Sequence, residues 1–173
     1  MVNKLIREIN IALDNDLYFV ALNTALTLPD ICGRAEYPEL RTAERYKKWY
    51  QEYIGQYEQC PEDKDNNTGF PYLSDDVVYQ LRCSILHQGN PNIEKGKTGI
   101  DKFALTIESE NEFNIYFDTS SMSISVNPYK TYRVSIRRLC FILCRCAVKY
   151  YEQNKQKFNF FNYTIIDYDK YKR

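Results

Sequence analysis

Leu5, Ile6, Ile9, Ala12 and Leu13 recur at intervals of three and four, which predicts an amphipathic helix over residues 2–14. Asp14 or Asp16 can cap a second helix that carries Leu17, Val20, Ala21, Thr24 and Leu28. Pro29 predicts a bend in it, and Gly33 predicts its end. A third helix begins at Thr42, with Tyr46, Trp49, Tyr50, Tyr53 and Tyr57 along one side. Residues 60–73, CPEDKDNNTGFPYL, carry two Pro, a Gly and a run of Asp and Asn, and read as a loop. Ser74 then offers an N-cap, and Asp75 and Asp76 complement the positive end of a helix with Val77, Val78, Leu81 and Ile85 on its inner face. Gly89-Asn90-Pro91 stops it.

Beyond this point the period changes from helical to two. Residues 103–107, 113–117 and 123–126 read as short antiparallel strands separated by Glu, Asn and Ser turns. The longest helix comes next, over about 133–153, with Ile136, Leu139, Cys140, Leu143, Ala147 and Tyr150 in one stripe. Phe141, Ile142, Cys146 and Val148 add apolar surface on its other sides, so this helix is expected to be central or to lie at a subunit interface. Residues 160–166 read as a last strand. The expected fold class is therefore mainly α, a bundle of about five helices with a small antiparallel sheet inserted at about 102–127, before the last long helix. No linker or repeat divides residues 1–173, which read as one domain.

Composition adds two points. Sixteen Tyr and nine Phe stand beside one Trp, an aromatic load that argues for a packed core and against disorder. Lys+Arg and Asp+Glu are both 23, so no net charge attracts a polyanion from a distance. The charges are nevertheless segregated. No acidic residue falls between Asp118 and Glu152, a window that holds Lys130, Arg133, Arg137, Arg138, Arg145 and Lys149. A solvated helix face is the ordinary reading of such a run. Arg133, Arg137, Arg138, Arg145 and Lys149 are also candidates to guide a nucleic-acid backbone.

The N-terminus alternates charged and apolar residues without a signal-peptide core, and no stretch reaches the ~20 apolar residues of a membrane span. A cytoplasmic protein without membrane association is expected. Its six Cys (32, 60, 83, 140, 144 and 146) are then reduced thiols, read mostly as small buried hydrophobes. With a single His and no C-x-x-C, a Cys/His zinc site has poor support. Glu108, Glu110 and Glu112 share one strand face and could hold a cation, although an exposed polar face is the ordinary explanation. There is no G-x-S-x-G, no phosphate-binding Gly-rich loop and no H-E-x-x-H.

One constellation carries chemistry. His87, the only His, lies in the last turn of the helix that Ser74 begins, and Arg82 stands five residues earlier. Five residues are about 140° of rotation, so the two side chains flank one surface rather than stack. Cys83, four residues before His87, shares its face. A guanidinium grips a phosphate with fork geometry while an imidazole moves a proton, which suits phosphodiester chemistry. The plain alternative is that Arg82 bridges to a carboxylate inside the bundle and His87 only finishes the helix.

The segment Leu81-Arg82-Cys83-Ser84-Ile85-Leu86-His87-Gln88-Gly89 resembles the signature of the HEPN superfamily, an Arg separated by four to six residues from a His, late in a helix of a helical bundle. The resemblance implies a metal-independent endoribonuclease without a cofactor, of the kind found in toxin–antitoxin, abortive-infection and CRISPR-linked defence systems. It implies a homodimer whose two Arg/His motifs face each other, with RNA as substrate and, in some systems, an antitoxin-like protein as partner. Arg82 and His87 would be the catalytic residues, with Cys83 and Ser84 supporting the motif. The family often places Asn, Asp or His directly after the Arg. Cys83 departs from that pattern and is a poorer hydrogen-bonding partner for His87. That departure favours a second reading, a non-catalytic HEPN-like binding or dimerisation module with a protein or nucleotide partner.

Overall fold

The computed structural model describes residues 1–58, 72–91, 93, 102–107, 116–118, 131–161 and 166. Helix α1 spans Val2–Asp14. Tyr18–Ala25 forms α2 and Leu28–Glu36 forms α3. Helix α4, Thr42–Tyr50, passes into a π-helical turn, Gln51–Gly55, and then a single α-turn, α5, Gln56–Glu58. Helix α6 is Asp75–Gln88. Strands β1 (Lys102–Thr106), β2 (Tyr116–Asp118) and β3 (Thr131–Ser135) precede α7, Ile136–Gln153, and a 3₁₀ turn, Lys155–Phe158. The protein is mainly helical, with a small sheet ahead of its last long helix, as the sequence predicts.

Helix α7 is the central element. Its predicted stripe, Ile136, Leu139, Cys140, Leu143, Ala147 and Tyr150, is buried, joined by Cys144. Val2, Ile9 and Ala12 of α1, Ala21, Leu22 and Ala25 of α2, and Leu28, Cys32 and Ala35 of α3 belong to the same core. Tyr46, Trp49 and Tyr50 of α4 bring the aromatic mass into it, and Val77, Val78, Leu81 and Ile85 bring in α6. Phe141, by contrast, is exposed. Most aromatics predicted on one side of the third helix are thus core.

Three departures have identifiable causes. The predicted second helix is two helices, because Leu26 and Thr27 make a turn and Pro29 begins α3 in the first-turn position where its missing N–H does no harm. Gly33 does not end the helix. A Cβ there would lie 2.7 Å from the Arg45 carbonyl oxygen, so its bareness lets α3 and α4 approach closely. The helix stops instead at Glu36, just ahead of Tyr37-Pro38, where the residue before proline is pushed out of helical backbone.

The sheet is a further correction. Its order is β1-β3-β2, with β2 antiparallel to β3 but β1 parallel to β3, pairing Lys102 with Thr131 through Thr106 with Ser135. It is mixed rather than antiparallel, and it reaches Ser135 rather than ending near 127. A period of two marks a strand but carries no sign of its direction. Arg133 accordingly lies in β3, not in the last helix, which starts where the Ser135 hydroxyl accepts the Arg138 N–H at 3.3 Å. The predicted strand at 123–126, most of the 60–73 loop, Cys60 and Glu108, Glu110 and Glu112 lie outside the described residues, as do 162–165 of the predicted last strand.

Candidate functional site

Helix α6 is fixed at both ends by local chemistry. The Ser74 hydroxyl accepts the Val77 N–H at 3.3 Å, and Asp76 bridges to Lys47 of α4 at 2.5 Å. At the other end Gly89 adopts φ +68°, in the left-handed region, and donates its N–H to the Ile85 carbonyl at 3.0 Å. Val77, Val78, Leu81, Ser84 and Ile85 face inward. Ser84, expected to support the motif, is buried on this core side. The remaining face carries Tyr79, Cys83 and His87, spaced a turn apart, with Arg82 on its flank.

Arg82 and His87 sit in opposite environments. The Arg82 side chain is only 17% exposed, and its Nη2 donates to Asp30 Oδ2 of α3 at 2.8 Å. Arg45 of α4 approaches the other oxygen, Nη2 to Oδ1 at 4.0 Å, and is 20% exposed. One carboxylate therefore stands between two guanidiniums, which leaves the trio with one positive charge. Burial would lower the Arg82 pKa, but the Asp30 carboxylate overcomes it and holds the guanidinium charged. Arg82 Nη1 also lies 4.0 Å from Cys83 Sγ, the geometry of a weak hydrogen bond. Tyr46 fills the space behind them, fully buried, its ring edge-on to Tyr79 at 5.2 Å. Burial, then the Asp30 charge, pushes the Tyr46 phenol well above its ordinary pKa. Tyr79 is likewise raised, by burial and by its hydrogen bond with Cys83. Tyr46 Oη, Arg82 Nε, Arg45 Nε and Asp30 Oδ1 have no hydrogen-bond partner among the described residues.

His87 is exposed and makes no hydrogen bond or ion pair among the described residues. The motif thus has a guanidinium fixed within the chain and an imidazole open to solvent. Arg82 does bridge to a carboxylate inside the bundle, as the plain alternative reading of the sequence expects. Asp30 gives no signal there, because it lies 52 residues from Arg82 and only the packing of α3 and α6 around α4 brings them together.

The five candidate RNA-guiding residues are not equivalent. Arg137 donates to Asp16 Oδ1 at 3.3 Å and to the Tyr18 hydroxyl at 3.1 Å. Arg138 holds Glu58 with a fork, Nη2 to both oxygens at 3.0 and 2.8 Å. Both cations are spent inside the protein. Arg133 is exposed on β3. Only Arg145 and Lys149, one turn apart on α7, are exposed and without an ion-pair partner among the described residues.

Among the described residues no three His, Cys, Asp or Glu side chains converge as a metal site, and no helix is long and apolar enough to cross a membrane. Cys32, Cys83, Cys140, Cys144 and Cys146 are free thiols. Burial raises Cys140 and Cys144 to about 12, the behaviour of inert packing thiols. No family model, curated protein or solved structure matches the chain.

Proposed function

We propose that this protein is a metal-independent endoribonuclease of HEPN type whose reaction centre is built where two copies of α6 meet. The observation that carries the reading is the one exposed imidazole per chain, His87, which has no partner among the described residues. It stands five residues along the helix from Arg82, whose trio with Asp30 and Arg45 keeps one surplus positive charge. In the reaction, a base takes the proton of a ribose 2′-OH and its oxygen attacks the adjacent phosphorus. The P–O5′ bond breaks, an acid protonates the leaving 5′ oxygen, and a 2′,3′-cyclic phosphate remains. One chain has a single imidazole for these two proton transfers. A two-fold dimer supplies two, the His87 of one protomer acting as base and that of its partner as acid. Arg82 would meet the phosphate from a fixed position with its remaining Nη protons, because Asp30 takes one N–H, Cys83 Sγ lies near Nη1 and Nε is buried. The absence of a 2′-OH would make DNA inert.

A second reading has its own support. The Arg82–Asp30 pair offsets much of the charge a phosphate clamp needs, and Cys83 replaces a stronger polar partner. Both favour a non-catalytic HEPN-like dimerisation module with a protein or nucleotide partner, in which Arg82 ties α6 to α3. Incubation of the purified protein with total RNA in EDTA separates the two. The enzyme reading expects cleavage that His87→Ala abolishes and Arg82→Ala strongly reduces. Cleavage that survives both substitutions ends the assignment, and no cleavage by the unaltered protein favours the module.

A further inference from the structure

Away from α6, a surface cleft of about 540 Å³ opens between the π-helical turn and the C-terminal half of α7. Small-molecule sites commonly span about 300–1,000 Å³. The helical segment 51–58 contributes Glu52, Tyr53, Gln56 and Tyr57 to its lining, and α7 contributes Lys149 and Gln153 among others.

The π-helical turn explains why the Tyr57 ring is available here. In an uninterrupted α-helix Tyr57 would join Tyr46, Trp49, Tyr50 and Tyr53 on the core side. A π-turn accommodates an extra residue and rotates the residues beyond it by up to about 100°. Tyr53 is half-buried and stacked on Trp49 with centroids 5.0 Å apart, while Tyr57, one turn on, is 76% exposed. π-Turns break the regular hydrogen-bond ladder and recur at functional sites.

The polar groups of the cleft divide into committed and uncommitted. The Glu52 carboxylate accepts the Tyr37 hydroxyl, and the neighbouring Glu58 is held by the Arg138 fork. The ammonium of Lys149 and the amide of Gln153 have no partner among the described residues, and Arg145 adds a second exposed cation one turn from Lys149. A flat ring, an amide with both donor and acceptor, and a free cation within one cleft match the three parts of a nucleotide: its base face, its base edge and its phosphate.

From this arrangement we infer that the cleft binds one unstacked nucleotide, its base against Tyr57 and its phosphate at Lys149, from single-stranded RNA or as a free nucleoside monophosphate. The inference deepens the ribonuclease reading by giving the substrate a holding site apart from the reaction centre, and its RNA source rests on that reading.

The test is fluorescence anisotropy of a labelled single-stranded hexaribonucleotide with the full chain in EDTA, using the His87→Ala variant so that the probe stays intact, with AMP as competitor. Tyr57→Ala and Lys149→Glu should each weaken binding about fivefold or more, while Tyr57→Phe should stay within about twofold of the parent, because phenylalanine keeps the stacking face. Tyr57 is exposed enough that circular dichroism should be unchanged by its substitution. Displacement by AMP would identify the ligand as a free nucleotide, and competition only by unlabelled RNA would identify it as a chain segment; either result supports the site. Absence of binding at about millimolar ligand, or binding insensitive to both Tyr57→Ala and Lys149→Glu, overturns it. The two claims fail separately. Binding with no cleavage by the unaltered protein removes the ribonuclease and keeps the cleft, whereas cleavage with binding indifferent to Tyr57 and Lys149 does the reverse.

Discussion

Arg82 and His87 lie five residues apart on one helix, yet one is locked and the other is free. Arg82 is drawn into the seam between α3, α4 and α6 by Asp30, with Tyr46 packed behind it. His87 projects from the last turn, where the helix has left the core and Gly89 turns the chain away. The contrast separates two jobs that stand side by side in a short motif. A residue at the Arg82 position can hold the bundle together, so substituting it confounds stability with chemistry. A residue at the His87 position makes no hydrogen bond or ion pair with the described fold.

Substitutions at and around the two residues test the difference. The largest expected effect is on chemistry: His87→Ala should lower RNA cleavage in EDTA by at least about 100-fold while leaving unfolding by urea within about 0.5 kcal/mol of the parent. A stability loss as large as that of an Arg82 variant would erase the distinction. Next comes Asp30→Ala, which strands two largely buried guanidiniums and should destabilise by about 2 kcal/mol, less than a fully buried pair because each partner keeps some contact with water. An unchanged urea midpoint would show that Asp30 does not hold Arg82. Gly89→Ala places a Cβ in a left-handed conformation and should lower stability by about 1 kcal/mol, read by thermal unfolding. Because that end of α6 also carries His87, its activity should fall more than its stability explains.

The smallest effect comes from a site apart from the motif and calibrates the others. Burial alone would raise the Glu36 carboxyl, but hydrogen bonds from Lys157 and Tyr150 prevail and its pKa lies below the ordinary 4.5. A lowered folded value means the charged form is the one the fold favours. Its contribution is present above the unfolded pKa and is lost as pH falls through the folded value. Glu36→Gln should therefore leave a slightly less stable protein at pH 7 and a shallower decline in melting temperature below about pH 4.5. Identical slopes in the two proteins would show that Glu36 is not held this way.

Legibility in the sequence tracks the range of the forces involved. Helices α1 and α6 are readable because their signals are local: apolar spacing for α1, and for α6 a serine cap, acidic first turn and glycine stop. The α7 stripe is readable for the same reason. Its start is not, since Thr131–Ser135 becomes a strand only by pairing with distant residues, and Ser135 caps the helix where that strand ends. The positions of Arg82 and His87 are likewise legible, but their environments are not. Asp30 reaches Arg82 only through packing that no periodicity encodes. The direction of β1 relative to β3 depends on a crossover rather than on alternation. The π-helical turn has no residue signature, so Tyr57 reads as one more core aromatic until the helix is seen to change its pitch.

If each chain brings one imidazole to a centre shared by two, RNA cleavage must depend on protein concentration. Cleavage per chain in EDTA should be constant while sedimentation shows a dimer and should fall as dilution produces monomer. A rate per chain that stays the same where only monomer sediments would contradict the account, as would a dimer that leaves RNA intact at every concentration.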